Sequence, residues 1–362
     1  MESNRRNFLK MGALATSGLL LSSFPGEAQP QSSEQNFQQP NKDIKMRTLG
    51  RGKTALEVSA IGLGCLGMSA SRSIKPDKKE MVKVIRNCYD LGYKLFDTAE
   101  LYGPFTNEEL VGEAVKPFRK NVIVTTKFGF KNAQTADGYD STPKTIKRVI
   151  DESLKRLQTD YVDMFYQHRV DPNVPMEDVA GTVGDLIKQG KVRFFGMSEA
   201  DETSIRKAHA VTPLTALQNE YSAMIRESEN RFALCEELGI GLVAYSSLCR
   251  GYLTGMINER VKLNPNNDTR HLLPHFEPKN IVHNWKIIDV LQKFGDNRGL
   301  TIAQVALAWV LAQKPFIVPI PGTSKTAHAF GNLQAMDYQF SGNELKVLTD
   351  EILAVNIIAR KG

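Results

Sequence analysis

The sequence has 362 residues, 41% of them hydrophobic and 24% charged, with a formal net charge of +6. This ordinary globular balance excludes wholesale disorder, and the length allows a sizeable core without metal or disulfide staples. The four cysteines, Cys65, Cys88, Cys235 and Cys249, are too few for a disulfide scaffold, and no CxxC spacing points to zinc. No long basic run supports a nucleic-acid groove. Length alone suggests about two domains, although a single α/β barrel can exceed 300 residues.

The chain opens with Asn4-Arg5-Arg6-Asn7-Phe8-Leu9-Lys10, a mildly apolar stretch from Met11 to Phe24, and Gly26-Glu27-Ala28. Paired arginines, a weak apolar core too short for a comfortable spanning helix, and small residues at a cleavage position resemble a twin-arginine export signal over residues 1–28. Residues 29–43, rich in Gln with Ser, Asn and Pro, read as a solvated linker, and the folded unit is expected to be 44–362. The implied location is periplasmic or otherwise exported. The implied partner is the twin-arginine export machinery, and no stable membrane span is expected after processing.

Downstream, Met46–Leu49 and Leu56–Val58 flank a Gly50-Arg51-Gly52 turn, which predicts a hairpin. Eight apolar runs then read as strands: 58–64, 94–97, 122–127, 162–167, 192–197, 214–218, 240–245 and 316–319. Helical patterns cover 77–91, 107–117, 143–157, 175–189, 201–210, 228–238 and 301–313. Thr142-Pro143 and Ser341–Glu344 carry helix-start signals. Strand–helix alternation repeated eight times predicts a closed (β/α)8 TIM barrel, with the hairpin on its floor and a long loop, 247–283, after the seventh strand. Gly62-Leu63-Gly64-Cys65-Leu66-Gly67 spells GxGxxG, but a polar loop, not a helix, follows it. These glycines are better read as clearing space for a nearby backbone or ligand.

Barrel chemistry sits at the C-terminal strand ends. There the sequence places Asp97, Tyr102, Lys127 and His168 on successive strands. An ammonium near a phenol favours its phenolate, a carboxylate keeps that ammonium charged and fixed, and a histidine can orient a carbonyl or pass a proton. Such a rim can protonate a developing alkoxide while another group supplies hydride. A barrel hydrolase would need paired carboxylates or metal ligands there, which the rim does not offer. No metal site is expected. Asp160 and Asp163 read as structural.

Taken together, Met46–Gly50, Gly62–Ser69 (GLGCLGMS), Phe96–Gly103 (FDTAELYG), Ser153–Tyr161, Tyr166–Pro172 (YQHRVDP), Ala244–Gly255 and Ile320–Asn332 resemble the aldo-keto reductase superfamily. YQHRVDP and GMSEA (196–200) lean toward the branch that includes pyridoxal and perakine reductases. The resemblance implies an oxidoreductase interconverting an aldehyde or ketone and an alcohol. Tyr102 would be the general acid, Lys127 and Asp97 the pair tuning it, and His168 the residue orienting substrate. For the cofactor it implies Gly64 and Cys65 at the mouth, Ser198, Glu199 and Gln218 at the nicotinamide carboxamide, and Tyr245 stacking on the ring. Ser246, Leu248, Arg250, Gly251 and Leu253 would follow the pyrophosphate, and Gly322, Thr323, Ser324, Lys325, His328 and Asn332 the adenosine end. NADP(H) is expected to be preferred, with NAD(H) as the alternative. The margin is expected to be narrow because His328 stands where relatives often have Arg and Gly331 where they often have Glu. Glu199 replaces a common Asn, Ser247 and Cys249 replace a common Pro and Gly, and Met224 and Ile225 replace an aromatic-rich segment. The competing implication is a cofactor-binding regulatory or accessory subunit with little turnover.

Overall fold

The computed structural model describes residues 44–69 and 76–359, all within one unit. The signal and linker of residues 1–43 lie outside the described residues.

The chain begins with an antiparallel hairpin, β1 (Met46–Leu49) and β2 (Leu56–Ser59), paired Met46 to Ser59 and Leu49 to Leu56. Eight parallel strands follow: β3 (Leu63–Gly64), β4 (Leu95–Asp97), β5 (Ile123–Phe128), β6 (Val162–Gln167), β7 (Val192–Ser198), β8 (Leu214–Glu220), β9 (Gly241–Tyr245) and β10 (Ile317–Pro319). Each pairs with the next in chain order. Gly62 N donates to Pro319 O at 2.9 Å and Gly64 bridges Gly322 in parallel, so the sheet closes on itself. This is the predicted (β/α)8 TIM barrel. A Cβ on Gly64 would lie 2.7 Å from Ile320 O, so closure here requires glycine. The GxGxxG therefore serves a barrel seam, not a dinucleotide-binding turn.

One expected strand needs correction. The 58–64 run is not continuous: Val58 and Ser59 end the hairpin, and only Leu63–Gly64 enters the barrel. Its continuous apolar character comes from burial in both places.

Among the described residues, ten α-helices surround the sheet: α1 (Lys78–Asp90), α2 (Thr106–Val115), α3 (Pro143–Leu157), α4 (Met176–Lys188), α5 (Glu202–Val211), α6 (Phe232–Leu238), α7 (Pro278–Asp296), α8 (Ile302–Gln313), α9 (Thr326–Gln334) and α10 (Gly342–Leu353). The expected caps form: Thr142 Oγ1 accepts from Thr145 N, and Ser341 and Glu344 make a reciprocal capping box. The long loop ends at Glu277 rather than 283, because α7 starts at Pro278. Helix α7 was not legible as a period: its buried face runs Ile281, Asn284, Ile287, Ile288 and Leu291, with a polar residue inside the stripe. No described helix is long and apolar enough to cross a membrane.

Strand periodicity builds the interior in layers. Leu49, Leu56 and Val58 of the hairpin join Leu95, Met164, Ala216, Val243 and Val318 in one apolar cluster that fills the floor. Two residues further along the same strands come Asp97, Gln218 and Tyr245. The inside of the barrel thus passes from apolar floor to polar mouth. Asp163 accepts from Val124 N at 2.9 Å and pairs with Arg119 at 2.8 Å and Arg193 at 3.0 Å, a structural role as expected.

Candidate active site

Asp97 ends β4, and Thr125 and Lys127 sit on one face of the adjacent β5. All three are buried, Lys127 completely. Lys127 Nζ donates to Asp97 Oδ2 at 2.7 Å, Thr98 O at 2.7 Å and Tyr102 Oη at 3.1 Å. An ammonium has three N–H bonds, so all are committed and the group is fixed. Asp97 Oδ1 accepts from Thr125 Oγ1 at 2.7 Å and Gln218 Nε2 at 2.8 Å. Since Lys127 can only donate, Tyr102 Oη receives this bond, and its own proton is left to point elsewhere.

Burial works against the Lys127 charge, but Asp97 and Tyr102 outweigh it and raise its pKa above the ordinary value. Burial also raises the Tyr102 pKa, and Lys127 only partly offsets this. The expected lowering by the ammonium is therefore present as a contribution but is not the net result. The phenol remains protonated at neutral pH. His168, one residue past β6, has its pKa driven well below normal by burial, Lys127 and Arg169, so its imidazole is neutral. Its ring meets that of Tyr102 edge-on, with centroids 6.0 Å apart. The rim therefore presents a neutral phenol and a neutral imidazole backed by a buried cation.

The remaining expected residues divide by position. Ser198 is buried, and its Oγ accepts from Arg169 Nη1 at 3.0 Å. Gln218 is bonded inward to Asp97. Glu199 has a left-handed backbone (φ 53) and accepts from Glu220 N at 2.7 Å. Cys65 and Leu253 are fully buried. Burial, above all, raises the Cys65 thiol's pKa well above its ordinary value, so it is no thiolate. Tyr245, Ser246, Leu248, Arg250 and Gly251 are half-buried along the loop leaving β9. Gly322, Ser324, Lys325 and His328 are exposed and Thr323 is half-buried at the start of α9, with Asn332 buried on its inner side.

The loop has an unusual backbone. Ser246 (φ 52), Cys249 (φ 45), Arg250 (φ 54) and Gly251 (φ 95) are all left-handed. Each non-glycine residue there carries roughly 1 kcal/mol or more of strain. The turns are closed by their own backbone: Cys249 N donates to Ser246 O at 2.6 Å and Gly251 N to Leu248 O at 2.9 Å. Arg250 Nε is buried without a partner among the described residues, and α9 starts with no side-chain cap. An uncapped helix N-terminus and an unpaired guanidinium N–H both suit phosphate oxygens. These residues fit a dinucleotide cofactor.

Sequence reasoning missed several supporting residues. Arg169 follows His168 in the quoted YQHRVDP, and its charge acts on both Tyr102 and His168. Thr125 follows from strand period once Lys127 is chosen. Asn219, whose Oδ1 accepts from Glu199 N at 3.0 Å, and Asn107, which donates to Cys65 O at 2.8 Å, had no sequence signal. Nor did the Glu108–Arg156 pair at 2.7 Å, which lies beside the buried Glu100.

Comparison with known proteins agrees with this geometry. Residues 60–352 match the aldo/keto reductase family. A probable aldo-keto reductase 1 from Glycine max is 37% identical over 305 residues, covering 83% of this chain and 87% of that protein. A glycerol dehydrogenase from Gluconobacter oxydans superposes with a TM-score of 0.77 at 26% identity, covering 86% of this chain and 96% of that one. An aldo/keto reductase from Klebsiella pneumoniae, solved with NADP and acetate, superposes with a TM-score of 0.65 at 25% identity, covering 87% and 98%.

Proposed function

We propose the following division of labour for this chain, which belongs to the aldo-keto reductase family. The protein is an NADP(H)-dependent oxidoreductase that interconverts carbonyls and alcohols. When bound, the nicotinamide supplies or accepts hydride. Tyr102 holds the proton that passes to the carbonyl oxygen. Lys127 Nζ, fixed by Asp97 and Thr98 O, stabilises the phenolate left behind. Neutral His168 hydrogen-bonds the substrate oxygen and sets its orientation. The observation that carries this reading is the fully committed ammonium donating to Tyr102 Oη at 3.1 Å. In the oxidative direction, the same phenolate takes the proton back.

Tyr102→Phe is expected to lower turnover by about 10²–10⁴-fold while leaving the NADPH dissociation constant unchanged. Near-normal reduction of an aldehyde panel by this variant would overturn the assignment of Tyr102, whereas no hydride exchange with any carbonyl in the wild type would favour a regulatory subunit. The same titrations test cofactor preference. Burial and Lys325 lower the His328 pKa, so it offers the 2′-phosphate a neutral ring, not a guanidinium. NADPH is expected to bind more tightly than NADH by a modest factor, and tighter NADH binding would contradict this.

The similarity of YQHRVDP and GMSEA supports placement in the pyridoxal and perakine reductase branch. The paired arginines and weak apolar stretch of residues 1–28 support twin-arginine export of the folded protein to the periplasm, with 29–43 as linker and 44–362 as the catalytic barrel. Arg5→Lys together with Arg6→Lys is expected to retain the protein in the cytoplasm on cell fractionation. Unchanged distribution would remove the export reading.

A further inference from the structure

A cavity of about 310 Å³ lies at the same rim, lined by Glu220, Ile225, Leu272, Leu273, Pro274, His275 and Ala359. Glu220 ends β8 and pairs in register with Tyr245. Three segments meet here: the turn after β8, the loop before α7, and the end of the described chain. That last segment is strapped onto α7. Asn284 Nδ2 donates to Ile358 O at 2.9 Å, and its Oδ1 accepts from Ile358 N at 2.9 Å. His283 Nε2 meets Asn356 O at 2.7 Å, and His275 Nδ1 meets Ala359 O at 3.1 Å.

His275 is only 3% exposed. Its Nε2 is buried and has no hydrogen-bond partner among the described residues. A carbonyl can only accept, so the bond to Ala359 O assigns the ring proton to Nδ1. Burial, partly opposed by the Ala359 carbonyl and assisted by the Arg250 charge, lowers the His275 pKa, so the ring is neutral. Nε2 is then an unused lone pair on a residue that lines the cavity. A buried hydrogen-bonding group left unpaired in this way is unfavourable. The group that completes it must donate. Glu220 is the charged residue among those lining the cavity, and Arg250 at 3.6 Å offsets it, so the site offers little net charge to an ion. A neutral hydroxyl on a mostly apolar body meets all of these conditions. Ile225, one of the two residues replacing an aromatic-rich segment, supplies part of the apolar wall.

We propose that this cavity receives a neutral hydroxyl-bearing end of the substrate, remote from the reacting carbonyl, with His275 Nε2 as its acceptor. The inference rests on the carbonyl reductase reading. It makes His275 a specificity-determining residue and hydroxylated carbonyl compounds the favoured substrate class.

The test uses the full chain with NADPH and two matched aldehydes, 4-(hydroxymethyl)benzaldehyde and 4-ethylbenzaldehyde. Wild type is expected to favour the hydroxymethyl compound by about tenfold in kcat/KM, the value of one net hydrogen bond. His275→Phe is expected to abolish the preference, and His275→Gln, which keeps an acceptor, to retain part of it. The NADPH dissociation constant should not move. Asn284→Ala, which loosens the strap without removing the acceptor, should affect both aldehydes equally. A wild-type ratio near one, or a ratio unchanged in His275→Phe, overturns the proposal. So does a loss of NADPH affinity in His275→Phe as large as the loss of substrate activity. Failure of the reductase reading shows differently, as no NADPH oxidation with either aldehyde. In that event, saturation-transfer NMR with 1,4-benzenedimethanol and 4-ethylbenzyl alcohol decides. Stronger binding of the diol that is lost in His275→Phe supports the hydroxyl site, and equal binding overturns it.

Discussion

In the loop that carries Tyr102, Glu100 is 3% exposed and its Oε1 has no hydrogen-bond partner among the described residues. Burial, with the nearby Glu108 carboxylate, raises its pKa to about 8. It is therefore protonated in the folded protein at neutral pH but ionised in the unfolded chain. A carboxyl raised in this way contributes stability that is fully present below its unfolded pKa, near 4.5, and is lost as pH rises through about 8. Glu100→Gln is expected to flatten the fall in stability between these limits in urea titrations. An identical pH dependence in the variant would show that Glu100 is not the group responsible. At this scale Asp97, Tyr102, Lys127 and His168 were legible because polar residues at successive strand ends converge in a barrel. Glu100 was not, because a carboxyl group in sequence carries no mark of the burial that changes its charge. Nor could the sequence show that burial would outweigh Lys127 at Tyr102.

Strand β7 shows how a residue choice controls packing between elements. Gly196 pairs in register with Tyr166, and a methyl group there would overlap the Tyr166 ring and come within 2.8 Å of Ala216 O. The ring belongs to the apolar floor cluster and the oxygen to the next strand, so neither side can yield cheaply. Gly196→Ala is expected to cost about 3 kcal/mol in denaturant-induced unfolding, and a change below 0.5 kcal/mol would show that the ring can move aside. The barrel strands were readable as apolar runs, and α3 at 143–157 matches its expected bounds because proline and a threonine cap mark its start. Helix α7 escaped because its stripe includes Asn284, kept inside by its two bonds to Ile358. Polar residues that serve another segment interrupt the period by which helices are recognised.

Across the whole molecule, the two ends of the fold are tied together. Arg47, in the first hairpin strand, donates to Leu311 O at 2.6 Å, Lys314 O at 3.0 Å and Ile317 O at 2.5 Å. It thus satisfies carbonyls at the end of α8 and the start of β10, where a helix favours a cation. Arg47→Met keeps the aliphatic stem and removes the donors. The expected loss is about 2–4 kcal/mol, read from the urea midpoint with an unchanged slope, and no shift would show that water replaces the guanidinium. The hairpin itself was legible from its Gly-Arg-Gly turn, but this tie was not, since its partners are main-chain carbonyls far along the sequence. Barrel closure across Gly64 and Gly322 has a further consequence for biosynthesis. At about 5–20 residues per second, the ribosome needs tens of seconds to deliver the second of these glycines after the first. Throughout that time the growing sheet has a free edge at β3 and another at its newest strand. Open edges of parallel sheet are templates for pairing with other chains. Closure must await the release of β10 and the residues after it, so a nascent chain stalled before that point remains an unsealed sheet and a natural client for chaperones.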